Sequence, residues 1–119
     1  KGITFHGSTW TMSRGSVTEL LALFDAGGIS SIAILTGTYF KRRETSVYAT
    51  LLEGLQQRKQ RYVAFSNHAK VLLMSNGADH IAIEGSANFT ANPRCEQYTM
   101  TNDKDLYEFH RAWMEHFLA

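Results

Sequence analysis

A histidine and a lysine separated by one residue, His68 and Lys70, stand at the start of a strand-like segment, residues 69–74. In an extended chain, residues i and i+2 point to the same side, so the imidazole and the ammonium group should project together. An imidazole acts as a nucleophile or a proton carrier, and an ammonium group binds anions. The pair therefore predicts a site where an anionic group is bound and attacked.

A second polar group ends the next predicted strand, residues 80–85, where the sequence reads Gly-Ser-Ala-Asn over residues 85–88. Ser86 and Asn88 share a side by the same i, i+2 rule and offer a hydroxyl and an amide. Asn76-Gly77 between the two strands predicts a tight hairpin turn. Such a hairpin would bring a histidine, a cation and two neutral donors to one place, which suits phosphate binding and attack.

This pattern, with Glu96 downstream, resembles the H-x-K…G-S-x-N half-motif of the phospholipase D superfamily, and the small bacterial metal-independent endonucleases are the most similar in architecture. The motif covers roughly residues 66–98, and the preceding β-α-β segment agrees in general layout. The resemblance implies that His68 attacks phosphorus to form a phosphohistidine and that Glu96 orients its imidazole. It also implies that Lys70, Ser86 and Asn88 hold the non-bridging oxygens, with no metal and no cofactor.

One position departs from the family pattern, because Ser75 stands where the family has an aspartate. The resemblance treats that aspartate as a hydrogen-bonding brace, and Asp79 in the hairpin is a candidate to replace it. The departure leaves open a module that binds nucleic acid without cutting it. Lipid phosphodiester hydrolysis is a further alternative, although no amphipathic segment with an exposed apolar face stands out in the sequence.

A dense basic region predicts the path of nucleic acid, with DNA favoured over RNA. Tyr39 and Phe40 precede it, and interleaved aromatic and basic residues suit backbone tracking and base stacking. Two ordinarily solvated helices, or a loop that caps the sheet, would give the same composition. The predicted nucleic-acid-binding residues are Lys41, Arg42, Arg43, Arg58, Lys59 and Arg61.

The number of motif copies predicts a homodimer. Displacement of an alkoxide from phosphorus needs a nucleophile on one side and a general acid on the other, and one imidazole cannot occupy both positions. The chain has a single H-x-K, and a two-fold axis would bring the same patch of two subunits face to face. The resemblance implies the same arrangement, since family members carry two half-motifs in one chain or across a dimer.

The remaining histidines are weaker candidates. His110 and His116 are predicted to be partly exposed residues on different faces of the last helix, and His80 a hairpin residue. His6 lies in a segment that the sequence does not place. The lone cysteine, Cys95, excludes an intrachain disulfide and a multi-cysteine zinc site.

Periodicity and turn residues predict an α/β fold in which a mixed β-sheet is flanked by helices on both faces, like the α-β-α sandwich of the phospholipase D superfamily. A Ser16–Glu19 capping box should begin the first helix. The apolar stripe of the last helix should comprise Leu106, Phe109, Trp113 and Phe117. The predicted strands are residues 29–36, 61–66, 69–74, 80–85 and 97–101, and the later helices are residues 44–60 and 103–118.

Length and composition bound the rest. We expect one domain over residues 1–119, and 44% hydrophobic residues exclude a disordered or low-complexity chain. No apolar run approaches the ~18 residues that a membrane span needs, so we expect no membrane partner. The chain begins at Lys1, so we expect that upstream sequence has been trimmed. The compartment stays unknown, with the cytoplasm slightly favoured because no signal peptide is visible.

Overall fold

A six-stranded mixed sheet organises the molecule, in a computed structural model that describes residues 2–86 and 96–119. The strand order is β3-β2-β1-β4-β5-β6. β1 pairs in parallel with β2, β2 pairs in parallel with β3, and all pairings from β1 to β4 and onward to β6 are antiparallel. The strands are β1 Ile3–Ser8, β2 Ile29–Gly37, β3 Arg61–Phe65, β4 Val71–Ser75, β5 His80–Gly85 and β6 Tyr98–Asn102.

Helices lie on both faces of this sheet. In the described part of the chain they are α1 Arg14–Asp25, α2 Thr38–Arg43, α3 Thr45–Gln57 and α4 Lys104–Leu118. Successive side chains of β2 point to opposite faces of the sheet, and each face has its own hydrophobic core. Ile32 and Ile34 pack with α1 and α3 on one face, and Leu35 packs with α4 on the other. None of these helices is long and apolar enough to cross a membrane. The predicted mixed α/β fold is thereby confirmed.

The directions of the strands bring six chain segments to one edge of the sheet. β1, β2 and β3 end there, β4 begins there, β5 ends there and β6 begins there, as the pairs Ser8–Val71 and Gly85–Tyr98 show. We call this edge the site edge, because the residues before β4 and after β5 lie on it. The opposite edge, which carries the Asn76-Gly77 hairpin turn, is called the far edge. We count with it the end of α3 and the start of β3, which begins at Arg61 level with the middle of β1 and β4.

Half of the sheet face opposite α4 carries apolar side chains that remain partly or largely exposed. Leu72 and Ile83 are neighbours on this face and are half-buried. Met100 pairs with Ile83 and Tyr98 pairs with Gly85, and these two side chains are 68% and 63% exposed. We call Leu72, Ile83, Tyr98 and Met100 the open sheet face.

The structure corrects several predicted boundaries. β1, which the sequence left unplaced, lies in the middle of the sheet. The first helix begins earlier than predicted, since its N-cap is Ser13, whose hydroxyl accepts from the amide of Ser16. Residues 38–43 form a short helix rather than a loop, and Phe40 within it is fully buried. β4 begins two residues late, so that His68 and Lys70 precede it.

The predicted apolar stripe of α4 is wrong in two of its four residues. Phe109 and Phe117 are 67% and 42% exposed, whereas Tyr107, His110 and Met114 are the buried residues of the helix. The prediction that His110 is partly exposed is therefore wrong. Its polar ring is tolerated inside because Nε2 lies 2.8 Å from Glu84 Oε2 and Nδ1 accepts from Trp113 Nε1 at 3.0 Å.

Candidate active site

His68 and Lys70 meet at the site edge, as their spacing predicts. Lys70 Nζ lies 2.6 Å from His68 Nδ1 and 2.9 Å from the His68 carbonyl oxygen. His68 is exposed and Lys70 is half-buried. Burial lowers the pKa of Lys70 from its usual value, and the negative charge of Glu96 acts in the opposite direction. The ammonium group therefore lies within the electrostatic reach of two of the predicted site residues.

The contact between the two side chains determines where the proton of a neutral His68 ring lies. An ammonium group has donors only, so Nδ1 is the acceptor in this contact. The neutral imidazole then carries its hydrogen on Nε2, which faces away from Lys70. In this state Nε2 can donate a hydrogen bond, and it lacks the lone pair that a nucleophile needs.

The turn that presents His68 is held from inside by buried polar residues. Asn67, which is 8% exposed, donates to Ser8 Oγ at 3.0 Å and accepts from the amide of Ala69 at 3.1 Å. Ser8 is fully buried and donates to the Ala69 carbonyl oxygen at 2.9 Å. Both side chains therefore fix the backbone on either side of His68, and sequence reasoning missed them because their partners come from distant β1.

The second polar group also lies at the site edge. Ser86 Oγ donates to Glu96 Oε1 at 2.5 Å, and the amide of Gly85 donates to the Lys70 carbonyl oxygen at 3.3 Å. The backbone thus connects the histidine–lysine segment with the serine segment. Asn88 and Cys95 lie outside the described residues, and the role of Glu96 in orienting His68 stays a prediction.

A row of planar groups leads away from His68, and sequence reasoning missed its central residue, Trp10. The Trp10 ring lies 4.9 Å from the His68 ring and stacks on Tyr39 at 4.4 Å with an interplanar angle of 21°. The guanidinium carbon of Arg43 lies 5.4 Å from the Tyr39 centroid. Recognition of β1 as a strand that ends at the site edge would have revealed Trp10.

The structure does not bring the six predicted nucleic-acid-binding residues together. Lys41, Arg42 and Arg43 follow β2 at the site edge. Arg58, Lys59 and Arg61 lie at the far edge, and a five-residue strand such as β3 spans roughly 16 Å. Arg58 pairs there with Asp25, and Arg61 pairs with Glu115.

Ser75 and two other histidines lie away from the site edge. Ser75 accepts from the amide of Gly77 at 3.1 Å in the hairpin turn and lies near the Tyr107 hydroxyl. His80 begins β5 at the far edge, with its ring 5.1 Å from that of Tyr107. His6 is 2% exposed and lies 2.8 Å from Glu115 Oε2. The position that departs from the family pattern is therefore separated from His68 by the length of β4.

Within residues 2–86 and 96–119, no three histidine, cysteine or carboxylate side chains are grouped so that they could hold a metal ion. A comparison with protein-family models and a comparison with curated protein sequences both gave no match.

Proposed function

We propose that this protein is a metal-independent phosphodiesterase of the phospholipase D type, and that it is a nuclease. The observation that carries the proposal is the meeting of two contact pairs, His68–Lys70 and Ser86–Glu96, at one sheet edge. A histidine nucleophile, an ammonium group and a hydroxyl donor within one backbone-connected unit are the groups that phosphate attack needs. The phospholipase D-like α-β-α sandwich is part of this proposal.

The reaction begins when phosphate draws Lys70 away from His68. The ammonium group moves to the non-bridging oxygens, and exchange with water then moves the ring hydrogen from Nε2 to Nδ1. Nε2 gains a lone pair and attacks phosphorus, the P–N bond forms, and the P–O bond to the leaving oxygen breaks. That oxygen takes a proton from a general acid, and water later cleaves the P–N bond. The resting contact therefore keeps the nucleophile inactive until an anion arrives.

The general acid is His68 of a second copy of the chain. A general acid needs the imidazolium form, protonated on both ring nitrogens, whereas the attacking ring must be neutral with a lone pair on Nε2, so one ring cannot serve as both. The open sheet face supports a dimer next to the site. This face begins next to the site, because Leu72 follows Lys70 by two residues and Tyr98 begins β6 at the site edge.

The departure at Ser75 does not favour the binding-only alternative. Ser75 lies in the hairpin at the far edge, where its hydroxyl already accepts from the turn and contacts Tyr107. A serine therefore fills a bracing position there, away from the groups that would touch phosphate. The loss of an aspartate at this position removes no charge from the site edge.

Cleavage of DNA in excess chelator tests the proposal. Wild type should cleave, and His68→Gln should lose at least about 10³-fold in rate, because no nucleophile remains. His80→Gln is the matched control, since this histidine lies at the far edge and should leave the rate unchanged. Cleavage by His68→Gln at the wild-type rate would contradict the proposal, and clean binding without cleavage by wild type would favour the binding module.

Mixing of subunits tests the shared site. Excess inactive His68→Ala, titrated into wild type, should reduce activity as wild-type homodimers become diluted. Met100→Glu on the open sheet face should weaken the dimer and reduce activity together, because it places a charge in an apolar interface. Activity that follows wild-type concentration alone, with a sedimenting species of 13.4 kDa, would show that each chain acts by itself.

A further inference from the structure

A half-enclosed cavity adjoins His68 at the site edge. It measures about 320 Å³ and is lined by Trp10, Tyr39, Arg42, Asn67 and His68, together with backbone at the end of β2. That volume lies at the small end of the range of roughly 300–1,000 Å³ for ligand pockets. Trp10 and Tyr39 form an aromatic wall, Arg42 forms a cationic wall, and His68, the candidate nucleophile, forms a third.

The aromatic wall serves neither hydrophobic core. The two core clusters of the described residues contain neither Trp10 nor Tyr39, and both side chains are half-buried at the surface. Because Trp10 and Tyr39 stack on each other and both line the cavity, they present their ring edges to it, and a further flat ring can lie with its face against these edges. The interaction of Arg43 with Tyr39 fixes the far end of this aromatic wall.

The backbone is shaped to hold Trp10 at this place. The amide of Gly37 donates to the Trp10 carbonyl oxygen at 3.2 Å. A Cβ atom at Gly37 would lie 2.6 Å from Trp10 Cδ1 and 2.8 Å from the Asn67 carbonyl oxygen, so only glycine lets the indole and the turn before His68 approach β2. The cavity is therefore a built feature of the end of β2.

We propose that this cavity binds an unpaired nucleobase of the substrate strand, packed against the ring edges of Trp10 and Tyr39 beside the phosphate that His68 attacks. The choice of ligand follows from the chemistry of the walls. The face of a base packs favourably on the edges of aromatic rings, whereas Arg42 and Arg43 attract the neighbouring phosphates. A paired base within a duplex has no free face, so the preferred substrate is single-stranded nucleic acid. The claim that the neighbouring phosphate is attacked rests on the proposed function, whereas the base site itself does not.

Binding of chemically matched strands tests the site without any need for cleavage. The protein is His68→Gln, which retains a planar side chain beside Trp10, and the probe is a single strand of about 12 thymidine nucleotides. A strand of equal length and charge whose sugars carry no bases should bind at least about tenfold more weakly, because the contact of the base with the aromatic wall is lost. A duplex of the same length should also bind more weakly than the single strand.

Two variants assign the effect to the cavity. Tyr39→Ala should weaken binding of the thymidine strand about tenfold and leave binding of the abasic strand unchanged, and Tyr39→Phe should retain the wild-type difference. Equal binding of the two strands, equal loss on both in Tyr39→Ala, or no measurable binding of either would overturn the base site. These outcomes are independent of catalysis. A protein that distinguishes the strands without cleaving DNA keeps the base site and loses the proposed function, and a protein that cleaves without distinguishing them does the reverse.

Discussion

The two edges of the sheet differ in how their basic residues are paired. At the far edge, Arg58 donates to both carboxylate oxygens of Asp25 at 2.8 and 2.7 Å, and Arg61 makes the same bidentate contact with Glu115 at 2.7 and 2.8 Å. At the site edge, the ion pairs among described residues do not include Lys41, Arg42 or Arg43. Both edges carry three basic residues close together in the sequence. At the far edge two of them are paired with carboxylates, whereas the three at the site edge have no carboxylate partner among the described residues.

This difference separates a structural from a ligand-binding use of arginine. A guanidinium group held by a bidentate carboxylate has its donors satisfied and connects two elements of the fold. An exposed guanidinium group with no carboxylate partner keeps its donors for a ligand. The charge run alone could not distinguish the two uses, because Asp25 and Glu115 lie 33 and 54 residues away from their partners along the chain.

The largest difference between the edges should be in the rate of DNA cleavage when one lysine at each edge is replaced. Lys70→Met at the site edge should reduce the rate of DNA cleavage about 10²–10³-fold, because a donor to the developing phosphorane charge is lost. Lys59→Met is the matched control at the far edge and should leave the rate unchanged. Equal losses in both variants, measured under saturating DNA in chelator, would contradict the assignment of Lys70.

Glu115 should carry the largest share of stability at the far edge. Arg61 and His6 lower the pKa of this carboxylate to about 2, the hydrogen bond from Arg61 being the main cause. A depressed pKa stabilises the fold above the ordinary value of 4.5, and the contribution is lost as the pH falls from 4.5 towards 2. Glu115→Gln should therefore cost ~2 kcal/mol at pH 7, after allowance for solvent screening, and should flatten the acid dependence.

Denaturant unfolding at pH 7, 4.5 and 3 measures both effects of Glu115→Gln. Glu108→Gln is the control, since Glu108 makes an exposed pair with Arg111 one helical turn away and should cost under about 1 kcal/mol. An unchanged acid dependence in Glu115→Gln would show that another carboxylate governs the transition.

Neutralisation of paired and unpaired arginines should separate the edges in DNA binding. Arg42→Gln with Arg43→Gln should weaken binding at low salt and reduce the slope of log affinity against log salt by about 1–2, since two phosphate contacts are lost. Arg58→Gln should leave the slope unchanged, because Asp25 already neutralises this guanidinium group. A slope that falls only in Arg58→Gln would place the DNA path on the far edge.

The smallest effect should come from the position that departs from the family pattern. Ser75→Asp should change the rate of DNA cleavage by less than about twofold, because its surroundings lie at the far edge and do not touch the site. A large gain in rate would show that the serine had weakened the site through the fold.

Sequence reasoning succeeded where the signal is local. The apolar, β-branched run of β2 and the Asn76-Gly77 turn each specify their own conformation, so β2 and the β4–β5 hairpin were predicted closely. The closeness of His68 and Lys70 likewise agrees with their one-residue spacing, although β4 begins only after both. These features need no partner from elsewhere in the chain.

Sequence reasoning failed where a polar residue is buried with a distant partner. β1 carries His6 and Ser8, which look unsuited to a central strand until Glu115 and the Ala69 carbonyl satisfy them. On α4, the polar ring of His110 led to the prediction that it is partly exposed. It is buried because Glu84 and Trp113 make hydrogen bonds with its two ring nitrogens. Trp10 was missed for the same reason, because its role depends on the strand that precedes it.

The central position of β1 has a consequence for how the chain folds. β4, β5 and β6 follow one another as neighbours, so their pairings close short loops and form fast. The β1–β4 pairing joins residues as far apart as Thr4 and Ser75, so we expect it to form late. Until β1 is inserted, β2 and β4 present open hydrogen-bonding edges to other copies of the chain. Aggregation during refolding should therefore depend on the first strand more than on any other element.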